Sequence, residues 1–250
     1  MEHVDLTAVD AVLLDMDGTL VNSDAAVERS WHRWAEEFAV DPGTVMAIAH
    51  GSPAERTVRR VRPDLDAAGA KAAAARQLQF EYEDLADVTA APGAHRLLTV
   101  LAQLGIAWAV VTSADARLAR LRLEAAAIRP PVLVTVEDVT AGKPDPEGYL
   151  RAARLLGVPP ARCLVVEDAE PGIRAGHGAG MPVATLRELP GDLPLRDLAD
   201  LAERFTHQRR DAELGQLPLR NTGRTPRTPV LCSPGRRGGF GSAADGILAR

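Results

Sequence analysis

Cysteine and lysine are both scarce in this chain of 250 residues. A disulfide framework or a cysteine-rich metal site needs more thiols than Cys163 and Cys232 can supply. Cys163 lies in the apolar run CLVV, so we expect its thiol to be buried and inert. The lysines are Lys71 and Lys143, whereas arginine is abundant, and a lysine retained under that bias is a candidate functional residue.

Long apolar runs and a basic amino-terminal segment are also missing. No stretch approaches the roughly 18 consecutive apolar residues that cross a bilayer. The opening segment, MEHVDLTAVD, is acidic, which is not typical of a secretory signal. We therefore expect a cytoplasmic protein that has no membrane partner.

The charge of the chain is unevenly distributed. The net charge is −5, but residues 206–250 carry +5, which leaves residues 1–205 at −10. Binding to nucleic acid depends on clustered Lys and Arg that neutralise phosphates. An acidic body therefore argues against a nucleic-acid partner and favours an enzyme that acts on a small molecule.

Short apolar runs alternate with amphipathic segments along most of the chain. The first run, AVLLDMD at 11–17, ends in acids and Gly18, as expected of a buried parallel strand followed by a tight turn. Further strands are predicted at 106–112, 131–138, 162–168 and 181–186, and helices at 93–104, 114–126, 146–156 and 171–179. This alternation predicts an α/β fold with a doubly wound parallel sheet.

Two segments depart from that alternation. Residues 21–90 show helical periodicity, with Trp31, Trp34 and Phe38 on one face, and no strand pattern. We predict an all-α insertion there, placed as a cap over the strand ends where open α/β sheets bind ligands. The predicted organisation is a core of residues 1–20 and 91–205, a helical cap of residues 21–90, and a disordered Arg/Gly/Pro-rich tail of residues 206–250.

Two aspartates follow the first predicted strand at positions that suit phosphoryl transfer. Asp15 and Asp17 are two residues apart, which on an extended backbone directs both carboxylates to the same side. One carboxylate can attack phosphorus while the other donates and accepts protons. Gly18 allows a sharp turn where a side chain would block close approach of the phosphate. We therefore predict that this segment carries the chemistry.

Three further groups lie at the ends of later predicted strands or in the loops between them. Thr112 and Ser113 offer hydroxyl and backbone N–H groups to phosphate oxygens. Lys143 supplies a point charge for the attacking carboxylate and the transferring group. Glu167 and Asp168 are hard oxygen ligands that, with the carboxylate of Asp15 and a backbone carbonyl at Asp17, suit Mg²⁺.

The same four segments resemble the motifs of the haloacid dehalogenase superfamily. The matching segments are DMDGTL (15–20), VVTS (110–113), GKPDPEGY (142–149) and VVEDAEPGIRAG (165–176). The resemblance implies an aspartyl-phosphate intermediate on Asp15 and acid/base catalysis by Asp17. It also implies phosphate binding by Thr112, Ser113 and Lys143, and Mg²⁺ ligation by Asp15, Asp17, Glu167 and Asp168. The α-helical insertion is what the helical-cap subclass of the family shows.

The cap is similar to that of sugar-phosphate and glycerol-phosphate phosphatases, which carry a His-Gly loop. The matching segments are VNSDAAVERSWHRWAEEFAVDP (21–42) and AHGSPAERTV (49–58). This resemblance implies a phosphatase of a small sugar or polyol phosphate. His50, Gly51 and Arg56 are candidates for binding the substrate, although a solvated basic face is an equal interpretation of Arg56. We expect a monomer or weak dimer.

Two other functions share part of this pattern. A β-phosphoglucomutase-like phosphomutase has the same motifs and cap, and differs in whether water or a second sugar hydroxyl takes the phosphoryl group. A receiver-type signalling domain also gathers acids, a hydroxyl and a lysine at strand ends, but its lysine follows the acids along the chain. Here Lys143 precedes Glu167 and Asp168, which disfavours the receiver. The motifs leave phosphatase and mutase open.

Overall fold

The computed structural model describes residues 4–49 and 52–215. Its centre is a six-stranded sheet in the order β5-β4-β1-β6-β7-β8, in which every neighbouring pair is parallel. The strands are β1 (Ala11–Leu14), β4 (Ala107–Val111), β5 (Leu133–Val134), β6 (Cys163–Glu167), β7 (Val183–Thr185) and β8 (Leu193–Pro194). The predicted α/β fold with a doubly wound parallel sheet is confirmed.

Strand β1 is buried on both faces because all four of its residues are apolar. Val12 and Leu14 belong to one apolar layer, whereas Ala11 and Leu13 belong to the other, as the two-residue repeat of a strand requires. One layer includes α5 (Ala94–Leu104), α6 (Ala116–Ala125) and α9 (Leu198–Gly215), and the other includes α7 (Glu147–Leu156) and α8 (Glu170–Gly178). None of the helices formed by the described residues is both long and apolar enough to cross a membrane.

Residues 23–88, which we call the cap, have an apolar core of their own. The cap helices are α1 (Asp24–Glu37), α2 (Pro42–Ala49), α3 (Ala54–Val61) and α4 (Ala67–Glu83). Trp34 is fully buried, stacks on Phe38 with ring centroids 4.7 Å apart, and donates from Nε1 to the carbonyl of Ala73 at 2.9 Å. The aromatic face predicted on the first cap helix therefore packs inside the cap and holds α1 against α4.

The structure differs from the sequence prediction at the base of the cap and in one core strand. The insertion is not all-α, because β2 (Val21–Asn22) and β3 (Thr89–Ala90) pair as an antiparallel ribbon where it joins the core. Strands this short show no alternating pattern. In the segment predicted as a strand at 131–138, β5 stops at Val134, because Thr135 and Asp138 cap each other and begin a 3₁₀ turn.

The predicted boundary of the carboxyl-terminal tail is also wrong. Helix α9 continues to Gly215, so no tail begins at residue 206. Beyond Phe205 the sequence of the helix is mostly polar, and Gln208 Oε1 accepts from Leu6 N at 2.9 Å while Arg209 Nη2 donates to Val9 O at 2.8 Å. Such contacts leave no apolar repeat in the sequence. The disorder predicted for the rest of the tail concerns residues outside the described part of the chain.

Candidate active site

Three neighbouring strands bring predicted catalytic residues to one edge of the sheet. Strand β1 lies between β4 and β6, and all three are parallel. Their carboxyl ends therefore place Asp15 after β1, Thr112 after β4, and Glu167 and Asp168 at the end of β6. All four residues are buried, so the site is built on the interior of the sheet.

Lys143 lies among these carboxylates, on the loop that precedes α7. Its Nζ contacts Asp15 Oδ1, lies 2.7 Å from Glu167 Oε1, and donates to the carbonyl of Val111 at 3.0 Å. Burial lowers the pKa of Lys143, but the carboxylates of Asp15 and Glu167 outweigh burial and raise that pKa above its usual value. The ammonium is therefore a fixed positive charge beside the candidate nucleophile.

The Glu167 carboxylate is held on all sides. Its Oε1 also accepts from the Tyr149 hydroxyl at 2.7 Å, and its Oε2 accepts from the backbone N–H groups of Asp168 and Ala169 at 3.1 and 3.3 Å. A Cβ atom at Gly172 would lie 1.6 Å from Oε1. The sequence analysis does not single out Tyr149 or Gly172. Both residues lie within the motif segments 142–149 and 165–176, and this is the signal that could have identified them.

Asp15, Glu167 and Asp168 form a buried acidic cluster. Each offers one oxygen, and these atoms lie within 4.8 Å of one another. Burial raises the pKa of Asp15 well above its usual range against the opposing charge of Lys143. Burial, followed by repulsion from Glu167, raises the pKa of Asp168 to about 7. Crowded carboxylates that are costly to ionise, with oxygen ligands only, fit a hard divalent cation.

Asp17 faces away from that cluster towards two donors. Its Oδ1 accepts from Ser23 Oγ at 2.7 Å and lies 2.9 Å from Arg122 Nη1. Sequence reasoning missed Arg122, which is 2% exposed. It lies on the buried stripe of α6 that includes Leu118 and Leu123, and an arginine on an apolar stripe was the signal that could have found it.

Gly18 gives room to a carboxylate of the acidic cluster. It has φ +81°, and a Cβ there would lie 2.1 Å from Asp168 Oδ2. The sequence predicts that a glycine here leaves room for the phosphate, whereas in the structure the carboxylate of Asp168 occupies the space where a Cβ would lie. The same carboxylate accepts from Thr19 Oγ1 at 3.3 Å and lies 2.8 Å from Arg187 Nε. Arg187 in turn binds Asp24 of the cap at 2.8 Å, so a metal-site candidate is linked to the first cap helix.

A cavity between the core and the cap connects these groups. From the core it is lined by Asp15, Asp17, Thr112, Ser113, Arg122 and Asp168. From the cap it is lined by apolar Val27, Trp31 and Leu78 and by polar Asp24, Ser52 and Glu81. The Thr112 hydroxyl accepts from the backbone N–H of Ala114 at 3.0 Å, which leaves its own hydrogen for a ligand oxygen. The cavity is therefore lined by apolar and polar side chains on the cap side and by mostly charged side chains on the core side.

Of the three cap residues predicted to bind the substrate, the structure describes one. Arg56 lies on α3 and donates from Nη1 to the backbone carbonyl of Lys143 at 3.2 Å, so this cap side chain reaches the core beside the site. His50 and Gly51 lie outside the described residues. Their neighbours Ala49 and Ser52 line the cavity.

This geometry is suited to moving a phosphoryl group. A buried carboxylate, Asp15, lies beside a fixed ammonium and a cluster that fits a divalent cation. A second carboxylate, Asp17, lines the same cavity and can exchange protons with a group bound there. Positioning and charge neutralisation are the main contributions that proteins make to phosphoryl transfer.

The chain matches the family model of haloacid dehalogenase-like hydrolases over residues 9–180. It is 41% identical to hexitol phosphatase A of Escherichia coli (strain K12), covering 76% of this chain and 88% of that one. It is 35% identical to 2-deoxyglucose-6-phosphate phosphatase 1 of Saccharomyces cerevisiae, covering 69% and 78%. A solved structure of a putative β-phosphoglucomutase from Bacteroides vulgatus is similar, with a TM-score of 0.69, 26% identity, and 84% and 91% of the chains covered.

Proposed function

Because this chain belongs to the haloacid dehalogenase-like hydrolase family, we propose that it is a Mg²⁺-dependent phosphatase of a small sugar or polyol phosphate. The observation that carries the proposal is the Asp15 carboxylate, which is buried between the Lys143 ammonium and the Glu167–Asp168 pair beside the cavity. A carboxylate so placed is a nucleophile for phosphorus with its counter-charges already in position.

The first step transfers the phosphoryl group to the protein. An oxygen of Asp15 attacks phosphorus, the new O–P bond forms, and the bond from phosphorus to the ester oxygen breaks. Asp17 donates a proton to that departing oxygen, so the dephosphorylated product leaves as a neutral alcohol. Lys143 offsets negative charge on Asp15 and the transferring group, while Thr112 and Ser113 donate to phosphoryl oxygens.

The second step returns Asp15 to its starting state. Water attacks phosphorus, and Asp17, now a carboxylate, accepts a proton from it. The bond between phosphorus and Asp15 breaks, and inorganic phosphate leaves. One residue thus acts as an acid and then as a base, which requires its carboxyl to lie on the cavity wall, as that of Asp17 does.

The acidic cluster would hold the metal ion. Asp15, Glu167 and Asp168 supply carboxylate oxygens, and a backbone carbonyl at Asp17 completes the proposed set. Bound Mg²⁺ supplies positive charge that neutralises the transferring phosphoryl group. The fit rests on the all-oxygen donor set and on the raised pKa values of Asp15 and Asp168, which a cation between them would relieve.

The size of the substrate and the preference for water over a sugar acceptor are inferred from the cap and the relatives. A cavity enclosed by the cap suits a small ester, and its polar residues can bind hydroxyl groups. The relatives at 41% and 35% identity are phosphatases, which favours hydrolysis over mutase activity. Action in the cytoplasm as a monomer or weak dimer, without a nucleic-acid partner, is proposed from the sequence.

The test is phosphate release by the purified full chain. The panel contains glucitol 6-phosphate, 2-deoxyglucose 6-phosphate, glycerol phosphate, β-glucose 1-phosphate and a phosphopeptide, each with Mg²⁺ or excess chelator. We expect Mg²⁺-dependent release of phosphate from at least one sugar or polyol ester, in clear preference to the phosphopeptide. Conversion of β-glucose 1-phosphate to glucose 6-phosphate without net phosphate release would identify a mutase. No release from any ester would refute the proposal.

A further inference from the structure

Arg122 is a buried charge that the mechanism above does not use. Its side chain is 3% exposed and lies between Asp17 of the core and Glu81 of cap helix α4. Burial lowers the pKa of Arg122, but the carboxylates of Asp17 and Glu81 raise it above its usual value. Arg122 is therefore a fixed positive charge where the core meets the cap.

The side chain of Asp17 contacts two donors, and both donors lie at the same carboxylate oxygen, Oδ1. Ser23 Oγ donates to Oδ1 at 2.7 Å, and Arg122 Nη1 lies 2.9 Å from the same atom. Among the described residues, no donor contacts Oδ2, although Asp17 lines the cavity. With two donors on Oδ1, Oδ2 is the oxygen left to exchange a proton with a group bound in the cavity.

Both ends of the cap converge on this arrangement. Ser23 directly precedes α1, and Glu81 lies in the last turn of α4. Glu81 Oε2 lies 3.4 Å from Arg122 Nη2, and Glu81 Oε1 accepts from Gln77 Nε2 at 3.2 Å. The first of these distances is about half an ångström longer than a charge-assisted hydrogen bond, so a small inward shift of α4 would complete it.

We propose that Arg122 is a positioning residue that fixes the Asp17 carboxyl through Oδ1, so that Oδ2 delivers the proton to the leaving oxygen, and that Glu81 of the cap holds Arg122. This inference rests on the proposed phosphatase function. When the bond from Oδ2 to hydrogen breaks, the proton passes to the ester oxygen that has lost phosphorus. The carboxylate left on Asp17 is stabilised by the Arg122 charge.

Two other roles for Arg122 make different predictions. A purely structural ion pair would affect all substrates equally, through loss of folded protein. A direct contact with the substrate is the second alternative, because Arg122 lines the cavity. That role would weaken binding of the ester without a specific effect on proton transfer.

The experiment compares esters that differ in their need for a proton. The best sugar or polyol ester found must receive one as its alcohol leaves, whereas p-nitrophenyl phosphate releases a stable anion. For Arg122→Gln we expect kcat/KM on the sugar or polyol ester to fall at least about tenfold more than on p-nitrophenyl phosphate, since a general acid contributes about 10²–10⁴-fold. Arg122→Lys, which keeps the charge, should recover part of that ratio.

Binding and the control are measured separately. In an Asp15→Asn background, Arg122→Gln should leave the calorimetric Kd of the ester within about twofold, as a positioning role requires. Tyr82→Phe is the matched control, because Tyr82 donates to Asp115 at 2.7 Å and links α4 to α6 without touching Arg122. We expect it to leave the ratio of the two substrates unchanged.

Two further variants test the same inference if Arg122→Gln does not fold. Ser23→Ala removes the hydroxyl donor to Asp17 and Glu81→Gln removes the charge that pairs with Arg122, and each should lower the same ratio less strongly than Arg122→Gln. Equal losses on both substrates in all three, or a Kd that weakens by the same factor as kcat/KM, would overturn the inference. A wild-type protein inactive on every ester would refute the phosphatase proposal itself, whereas an active one with an unchanged ratio would refute only the role of Arg122.

Discussion

Gly172 lies so close to the Glu167 carboxylate that a methyl group on it would be 1.6 Å from Oε1. Gly172 is in the first turn of α8, the helix that follows β6 along the chain and contacts it. Glu167 is also held by Tyr149 and by two backbone N–H groups. The position of Glu167, a candidate metal ligand, therefore depends both on its hydrogen bonds and on the absence of a side chain at Gly172.

Gly172→Ala should weaken metal binding. The added methyl group must displace Glu167, and disturbing the groups that support a metal ligand typically costs about 10–100-fold in affinity. We expect the Mg²⁺ concentration for half-maximal activity, and the calorimetric Kd of Mg²⁺, to rise by about that factor. Gly178→Ala, on the same helix, is the control, because its methyl group would meet Pro146 at an ordinary 3.6 Å. Equal effects of the two substitutions would contradict this account.

Asp15→Asn should remove turnover and keep the fold. The amide has nearly the shape of the carboxylate but cannot attack phosphorus, so we expect a loss of about a thousandfold or more in kcat. Burial already disfavours the ionised form of Asp15, as its raised pKa indicates, so a neutral replacement should not lower the Tm. Phosphate release and calorimetric unfolding check both points. Retention of more than a few per cent of activity would exclude Asp15 as the nucleophile.

The stability of the metal-free protein should depend on Asp168. Burial raises its pKa from 3.8 to about 7, so between these values the folded protein holds a proton that the unfolded chain has released. Stability from this group therefore falls as pH rises from about 4 to about 7. In chelator, the Tm of the wild type should decrease over that range, and Asp168→Asn should flatten the decrease.

Added Mg²⁺ should compete with that proton. The increase in Tm on adding Mg²⁺ is then expected to grow with pH up to about 7 and to level off above it. Unfolding scans at a series of pH values, with Mg²⁺ or chelator, measure this increase directly. An increase in Tm that is the same at all pH values would show that the cation does not displace a proton from this cluster.

The site residues that the sequence predicts are mainly those at the carboxyl ends of strands. Asp15, Thr112, Glu167 and Asp168 follow short apolar runs, and a parallel sheet must bring the carboxyl ends of such runs to one edge. Lys143 lies on a loop, and the scarcity of lysine in the sequence is what distinguishes it. These predictions needed only the alternation of strands and helices and the chemistry of each side chain.

What the sequence did not predict depends on contacts between distant segments. Arg122 is one of several arginines in α6, and although it falls on the apolar stripe of that helix, the sequence does not show that its partners are Asp17 and Glu81. Gly172 has no sequence pattern that reveals the carboxylate beside it. Near the end of α9, Gln208 and Arg209 form hydrogen bonds with backbone groups near the amino terminus. Propensity and periodicity do not register any of these interactions.

Arg56 should contribute to recognition of the substrate. It joins α3 of the cap to the Lys143 carbonyl at 3.2 Å, so its loss should loosen the cap beside the site. We expect Arg56→Ala to lower kcat/KM on a sugar or polyol ester by at least about fivefold more than on p-nitrophenyl phosphate, which needs little contact with the cap. Arg59→Ala is the control, because Arg59 pairs with Glu55 on the surface of the same helix. Equal losses on both substrates would contradict a role in recognition.

The position at which the chain can be shortened separates the predicted tail boundary from the observed one. A chain that ends at Phe205 loses the last turns of α9, including the hydrogen bond that Gln208 accepts from Leu6 and the one that Arg209 donates to Val9. Each hydrogen bond contributes about 0.5–1.5 kcal/mol, so the two together should lower the Tm by several degrees. A chain that ends at Gly215 keeps both bonds and should retain the Tm and activity of the full chain. Calorimetric unfolding of the three chains tests this, and equal Tm values for the two shortened chains would show that the polar end of α9 does not stabilise the core.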